Sequence, residues 1–211
     1  MKARLILVSG VPSVGKTKFS KALAKKLKAT YVNIGEIALK KGFIKDFDSK
    51  RDTYIVDFKK LKAWLNSFLK HTKGLIILDG YYTPYIASKT QVKKVFILRC
   101  HPIILKKRLE VKGYSSEKVL ENVVAELLDA SLFEALKCYR KNSLNKICEL
   151  NASKRGISSL INEALRNLKK RRGVFGEVDW IKELNKEGKL KQFLELIKGV
   201  KVNEFYGDSM H

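Results

Sequence analysis

Residues 10–17 read Gly10-Val11-Pro12-Ser13-Val14-Gly15-Lys16-Thr17, a complete G-x-x-x-x-G-K-T string. An apolar run, Arg4–Ser9, comes directly before it, and an amphipathic stretch, Lys16–Leu27, directly after. A strand that turns through two glycines into a helix aims successive backbone N–H groups at one point, at the positive end of the helix dipole. That arrangement holds phosphate. Lys16 is placed to reach the β- and γ-phosphates of ATP, and the Thr17 hydroxyl to ligate Mg²⁺. Few other features confine a chain to so few folds, because the loop requires a buried parallel strand on one side and a packed helix on the other.

The remaining pattern agrees with that demand. Short apolar runs at 74–78 and 95–98, with weaker ones at Thr30–Asn33 and 146–150, suit central strands covered on both faces. Between them lie helical periodicities at Lys16–Leu27, 57–69, 101–112, 115–139 and 158–170, the 115–139 stretch read as one helix, kinked or docked over the sheet. The expectation is an α/β fold of P-loop NTPase type, three layers thick around a five-stranded parallel sheet. After the Lys169-Lys170-Arg171-Arg172 run, Gly173-Val174-Phe175-Gly176 marks a boundary. Two short amphipathic patterns follow, one with Trp180, Ile181 and Leu184 and one with Leu190, Phe193, Leu194 and Ile197. They predict a helical hairpin over 173–211, whose apolar stripe must bury on this domain or on a partner.

A second chemical signal is Leu75-Ile76-Ile77-Leu78-Asp79, an apolar strand ending in a carboxylate. Ligands of open parallel sheets bind at such strand ends, so Asp79 is placed to hold Mg²⁺ through a water or to position an attacking group. Alternatively it caps the next turn. A third is the basic series after Leu98-Arg99, in which Arg108 and Lys112 share a helix face and are able to close over phosphates. His71, His101 and His211 have no ligand partner at metal-binding spacing. Cys100, Cys138 and Cys148 form no CxxC pair and read as reduced thiols of a cytoplasmic protein.

The net charge is +23. Residues 1–150 hold 31 basic and 13 acidic residues, so the excess lies in the main domain and not in a tail. A polyanionic neighbour such as RNA and a merely solvated lysine surface are both compatible with it. No run approaches the roughly 20 apolar residues of a membrane span.

Taken together, these residues resemble the adenylate kinase isoenzyme 6 family of nucleoside monophosphate kinases and ATPases. The resemblance covers residues 4–170. It rests on the phosphate loop with Pro12 inside it, on Tyr31-Val32-Asn33-Ile34-Gly35-Glu36, on Asp79, on Phe96-Ile97-Leu98-Arg99, and on Arg108-Leu109-Glu110-Val111-Lys112-Gly113-Tyr114. It implies a kinase domain at 1–172 and a separate extension at 173–211. ATP is implied to bind through Gly10, Ser13, Gly15, Lys16, Thr17, Lys18 and Lys112. An acceptor arm over 33–57 is implied to place Asn33 and Gly35 near AMP, and a short lid spans 111–121. The implied catalytic residues are Lys16, Asp79 and Arg108, with Mg²⁺ on Thr17 and Asp79. The implied activity is ATP + AMP to two ADP with accompanying ATP hydrolysis, in a monomer linked to small-subunit ribosomal maturation through a ribosomal protein and rRNA. An ATP-switched assembly factor with little kinase activity is the alternative, and a kinase for another small acceptor a third. This chain departs from the family pattern at Ser13, where glycine is usual, and at Lys18, where threonine is. Leu39 and Lys112 stand where arginine is usual, and Tyr81 replaces a histidine.

Overall fold

The computed structural model describes residues 3–49, 53–140, 143–153 and 156–198. Strand β1 (Arg4–Ser9) runs into helix α1 (Lys16–Leu27), followed by β2 (Thr30–Asn33), α2 (Ile34–Lys40), β3 (Ile44–Asp48), β4 (Thr53–Val56) and α3 (Phe58–His71). Then come β5 (Leu75–Asp79), α4 (Thr83–Ile86), β6 (Val92–Arg99), α5 (Pro102–Val111), α6 (Ser116–Leu127) and α7 (Ala130–Cys138). A 3₁₀ turn leads to β7 (Ile147–Asn151), α8 (Ile157–Lys169), α9 (Trp180–Lys186) and α10 (Leu190–Leu196).

Five strands form one parallel sheet in the order β2-β5-β1-β6-β7. Side chains alternate across a strand, so β1 feeds two cores. Ile6 and Val8 face Phe19 and Leu23 of α1, Leu105 and Leu109 of α5 and Leu160 of α8. Leu5 and Leu7 face Leu61 and Leu65 of α3 and Leu132 and Ala135 of α7. Each of these buried Ile, Val, Leu and Phe side chains contributes about 1.5–3 kcal/mol relative to exposure.

Three features differ from the periodicity. Residues 115–139 form two helices, because Asp129 takes a left-handed conformation (φ 56°) between them and its carboxylate pairs with Arg99. In the arm segment, where the periodicity marks no element, α2 precedes an antiparallel ribbon, β3–β4, with the Phe47 ring tilted against Tyr54 at 5.1 Å. The segment after α8 pairs with the sheet edge, as Glu149 N donates to Val174 O at 2.7 Å and Val174 N to Ile147 O at 3.0 Å. Beyond it, Trp180, Leu184 and Phe193 bury in the same cluster as α1 and α5. Part of the hairpin's apolar stripe therefore covers this chain's own core. Ile181 and Leu194, expected on the same stripe, face solvent because each lies one residue round the helix from the buried Trp180 or Phe193. His211 and the rest of 199–211 lie outside the described residues.

Candidate nucleotide site

The site forms where β1, β2 and β5 end. Parallel register sets Val8 opposite Asp79 and Asn33 opposite Asp79, so three strand termini reach the same level. The phosphate loop leaves β1 at Gly10, whose φ of 143° suits glycine, and where a Cβ would lie 2.6 Å from Leu98 O. Only a residue without a side chain lets the loop pass β6 this closely. Gly15 caps α1 with φ 107°, and Ser13 lies in the left-handed region at φ 64°. Lys18 is exposed on the first turn of the helix.

Four side chains converge beneath the loop. Thr17 Oγ1 donates to Asp79 Oδ2 at 3.1 Å, Tyr31 Oη donates to the same oxygen at 2.9 Å, and Asn33 Nδ2 lies 3.4 Å from it. Asn33 also caps α2, its Oδ1 accepting from Glu36 N at 3.1 Å. Asn33 thus ties the root of the arm to Asp79. Gly80 makes this approach possible, since a Cβ there would meet Ile34 Cγ1 at 2.3 Å. Burial raises the Asp79 pKa, while Lys16 and the donors from Tyr31 and Thr17 oppose the rise. The Tyr31 phenol is pushed up to about 12, first by burial.

Lys16 Nζ donates to Gly10 O at 2.8 Å and to Val11 O at 2.9 Å. Burial pushes its ammonium down to about 8, with Asp79 and Glu126 opposing the shift and Lys112 adding to it. Lys112 is exposed at the end of α5, close enough for its charge to be felt at Lys16. Arg108 Nη1 lies 3.3 Å from Val14 O and 3.4 Å from Cys100 Sγ, beside the loop. A hydroxyl and a carboxylate this close are a donor set for a hard, oxygen-preferring cation, so Thr17 and Asp79 fit Mg²⁺.

Two cavities flank this centre. One, of about 350 Å³, lies between Ser13, Gly15, Lys18 and Arg108 on one side and Ala152, Ile157 and Leu160 on the other. The second, of about 200 Å³, lies in the arm and is lined by Gly35, Leu39, Ile44, Tyr54 and Tyr82, among others. Gly35 thus sits on the arm cavity, two residues along from Asn33, the N-cap of α2.

Sequence reasoning missed several of these groups. Tyr31 was legible, since Tyr31 and Asn33 are two apart on a strand and share a face. Ala152, Ile157 and Leu160 carry no motif. His101 is not isolated: its Nε2 lies 3.6 Å from Glu187 Oε1, and ligand atoms of Glu183 and Glu187 gather within 4.8 Å of it. Its Nδ1 accepts from Ile103 N at the start of α5, so in the neutral ring Nε2 keeps the proton. That tautomer turns a proton, not a lone pair, toward the Glu187 carboxylate, so it does not offer a metal ligand there. Arg99, in the basic series, turns away from the loop into a buried group of carboxylates, Glu126, Glu149 and Asp129.

Comparison with known proteins agrees with this geometry. Residues 6–129 match the family model described as AAA domain. A protein of Methanococcus maripaludis named "Putative adenylate kinase" is 36% identical, with 85% of this chain and 96% of that protein covered. A protein of the same name from Methanocaldococcus jannaschii is 33% identical, over 83% of this chain and 92% of its own. Among solved structures, shikimate kinase from Bacteroides thetaiotaomicron superimposes with a TM-score of 0.50 at 17% identity, covering 79% of this chain and 98% of that one. At that identity the likeness is one of fold.

Proposed function

We propose that this chain, which belongs to the AAA domain family and groups with archaeal proteins named "Putative adenylate kinase", transfers the terminal phosphoryl group of ATP to AMP. The observation that carries the reading is the position of the Thr17–Asp79 pair, beneath the phosphate loop and between two cavities of different character. The larger cavity suits the base and sugar of ATP, with its phosphates on the N–H groups of residues 10–18. The arm cavity, apolar and bounded by Tyr54 and Tyr82, suits a flat base whose phosphate points toward Asn33.

Phosphoryl transfer asks little covalent chemistry of a protein, and its rate follows from positioning and charge neutralisation. Lys16 leaves the loop carbonyls to meet the β- and γ-phosphates, and Arg108, anchored beside Val14, meets charge developing on the transferring group. Thr17 and Asp79 would hold Mg²⁺, which would supply positive charge to offset that of the phosphates. Asp79 is held in place by Tyr31 and Asn33, so the arm and the phosphate centre share one carboxylate. Domain roles follow the same division: the segment 33–57 is the acceptor arm and 111–121 the lid.

A second reading is favoured by one residue and by the charge of the chain. Leu39, 54% exposed at the arm cavity, offers an AMP phosphate no charge. With a net charge of +23, an ATP-hydrolysing factor of small-ribosomal-subunit maturation is the alternative. The test is ADP formation from MgATP with and without AMP. AMP-dependent ADP formation, lost in Lys16→Ala, supports the kinase; ADP formation indifferent to AMP favours the second reading.

A further inference from the structure

The segment that follows α8 reaches the helices beside the nucleotide site through a buried carboxylate, Glu126. Glu126, 1% exposed near the end of α6, accepts at Oε1 from three donors: Arg99 Nε at 2.7 Å, Trp180 Nε1 at 2.8 Å and Cys100 N at 3.1 Å. Its backbone carbonyl accepts from Arg99 Nη2 at 3.0 Å. Arg99 also pairs with Glu149 and Asp129, and Glu149 takes a further bond, at 2.6 Å, from Gly176 N. One guanidinium thus serves three carboxylates, and the segment after α8 supplies the extra donors that buried carboxylates need.

The location of these bonds gives them a consequence. Cys100 is the first of the two residues between β6 and α5, and its Sγ takes Arg108 Nη1 at 3.4 Å. Glu126 is the penultimate residue of α6, the helix that follows the lid. The Glu126 carboxylate therefore joins both roots of the α5–loop–α6 hairpin that carries the lid, one through Cys100 N and the other through its own helix. Trp180, 1% exposed, seats its ring 5.5 Å from the His101 ring, and His101 caps α5. The indole consequently touches both the cap of α5 and the Glu126 carboxylate of α6.

We propose that Trp180 is a positioning residue that fixes, through Glu126, the two roots of the lid, so that the segment after residue 173 sets how Arg108 meets the transferring phosphoryl group. The role rests on the phosphoryl-transfer reading, yet part of its test needs no acceptor. Trp180→Phe keeps an aromatic ring in the core and removes only the donor and the second ring. It is expected to lower kcat for ADP formation about tenfold, or ~1.4 kcal/mol of barrier, with KM for ATP changed less than about twofold. A role in folding alone would lower the melting temperature and leave kcat per folded molecule unchanged. The second measurement uses a Trp64→Phe background, in which Trp180 is the sole tryptophan of the two in the chain. Addition of the Mg²⁺ complex of AMP-PNP should shift or quench Trp180 emission, and Glu126→Gln should remove that response. Emission indifferent to the nucleotide, or wild-type kcat in Trp180→Phe, overturns the proposal. A nucleotide-dependent emission change in a protein that fails to phosphorylate AMP would sustain the link to the lid while removing the kinase reading.

Discussion

The Lys16 ammonium offers the sharpest test of the phosphate centre, because its proton is linked to ATP. Burial lowers its pKa to about 8. A lysine at that value is half neutral at pH 8 and about nine-tenths neutral at pH 9. ATP phosphates favour the charged form, so binding draws a proton back onto Lys16. The sign follows directly: affinity is greatest below pH 8 and falls as pH rises through it. Proton uptake should be about half a proton per nucleotide at pH 8, rising toward ~0.9 at pH 9. Calorimetric titration with MgATP in two buffers of different ionisation enthalpy reads this number directly. Lys16→Arg keeps a charge that does not titrate in this range, and should remove the uptake. Lys112 contributes to lowering the Lys16 value, so Lys112→Ala should move the uptake curve to higher pH. Buffer-independent heats between pH 8 and 9, or equal uptake in Lys16→Arg, would refute the reasoning.

Other outcomes follow from the residues around the site. Ser13 occupies a left-handed conformation at φ 64°, which costs about 1 kcal/mol or more for a residue with a Cβ. Ser13→Gly should raise the melting temperature by about 2–4 °C without weakening ATP binding, and a lower melting temperature would contradict the strain. Leu39→Arg gives the arm cavity a charged donor. The KM for AMP should fall about tenfold while that for ATP is unchanged, and an unmoved AMP KM would place the acceptor elsewhere. Tyr81→His introduces a group that titrates near neutrality; single-turnover hydrolysis without AMP should rise several-fold at unchanged ATP affinity, and an unchanged rate would assign Tyr81 a packing role beside Tyr82.

Where local pattern and tertiary demand coincide, the fold is legible before folding. The stripe Phe19, Leu23 and Leu27 marks α1, and the run ending at Asp79 marks β5, because each element buries a face whose period is its own. The β3–β4 ribbon escaped notice because most of its residues are exposed, including Phe47 and Tyr54. Without a buried face there is no alternation to read. The break at Asp129 is equally silent locally, since it depends on Arg99, thirty residues away in the chain. Within the site, Lys16, Thr17 and Asp79 could be found because loop chemistry and strand ends announce them. Glu126 and Trp180 could not, as a glutamate inside an amphipathic helix ordinarily faces water. Only the packing of the last helices onto the first core shows that this one is buried.

The phosphoryl group leaving ATP is proposed to go to AMP and not to water. Phosphorus-31 spectra of the protein with MgATP and AMP measure that partition in one experiment. ATP and AMP should disappear in equal amounts, two ADP should form for each ATP consumed, and inorganic phosphate should be a minor product. One ADP and one inorganic phosphate per ATP, with AMP untouched, would contradict the proposal.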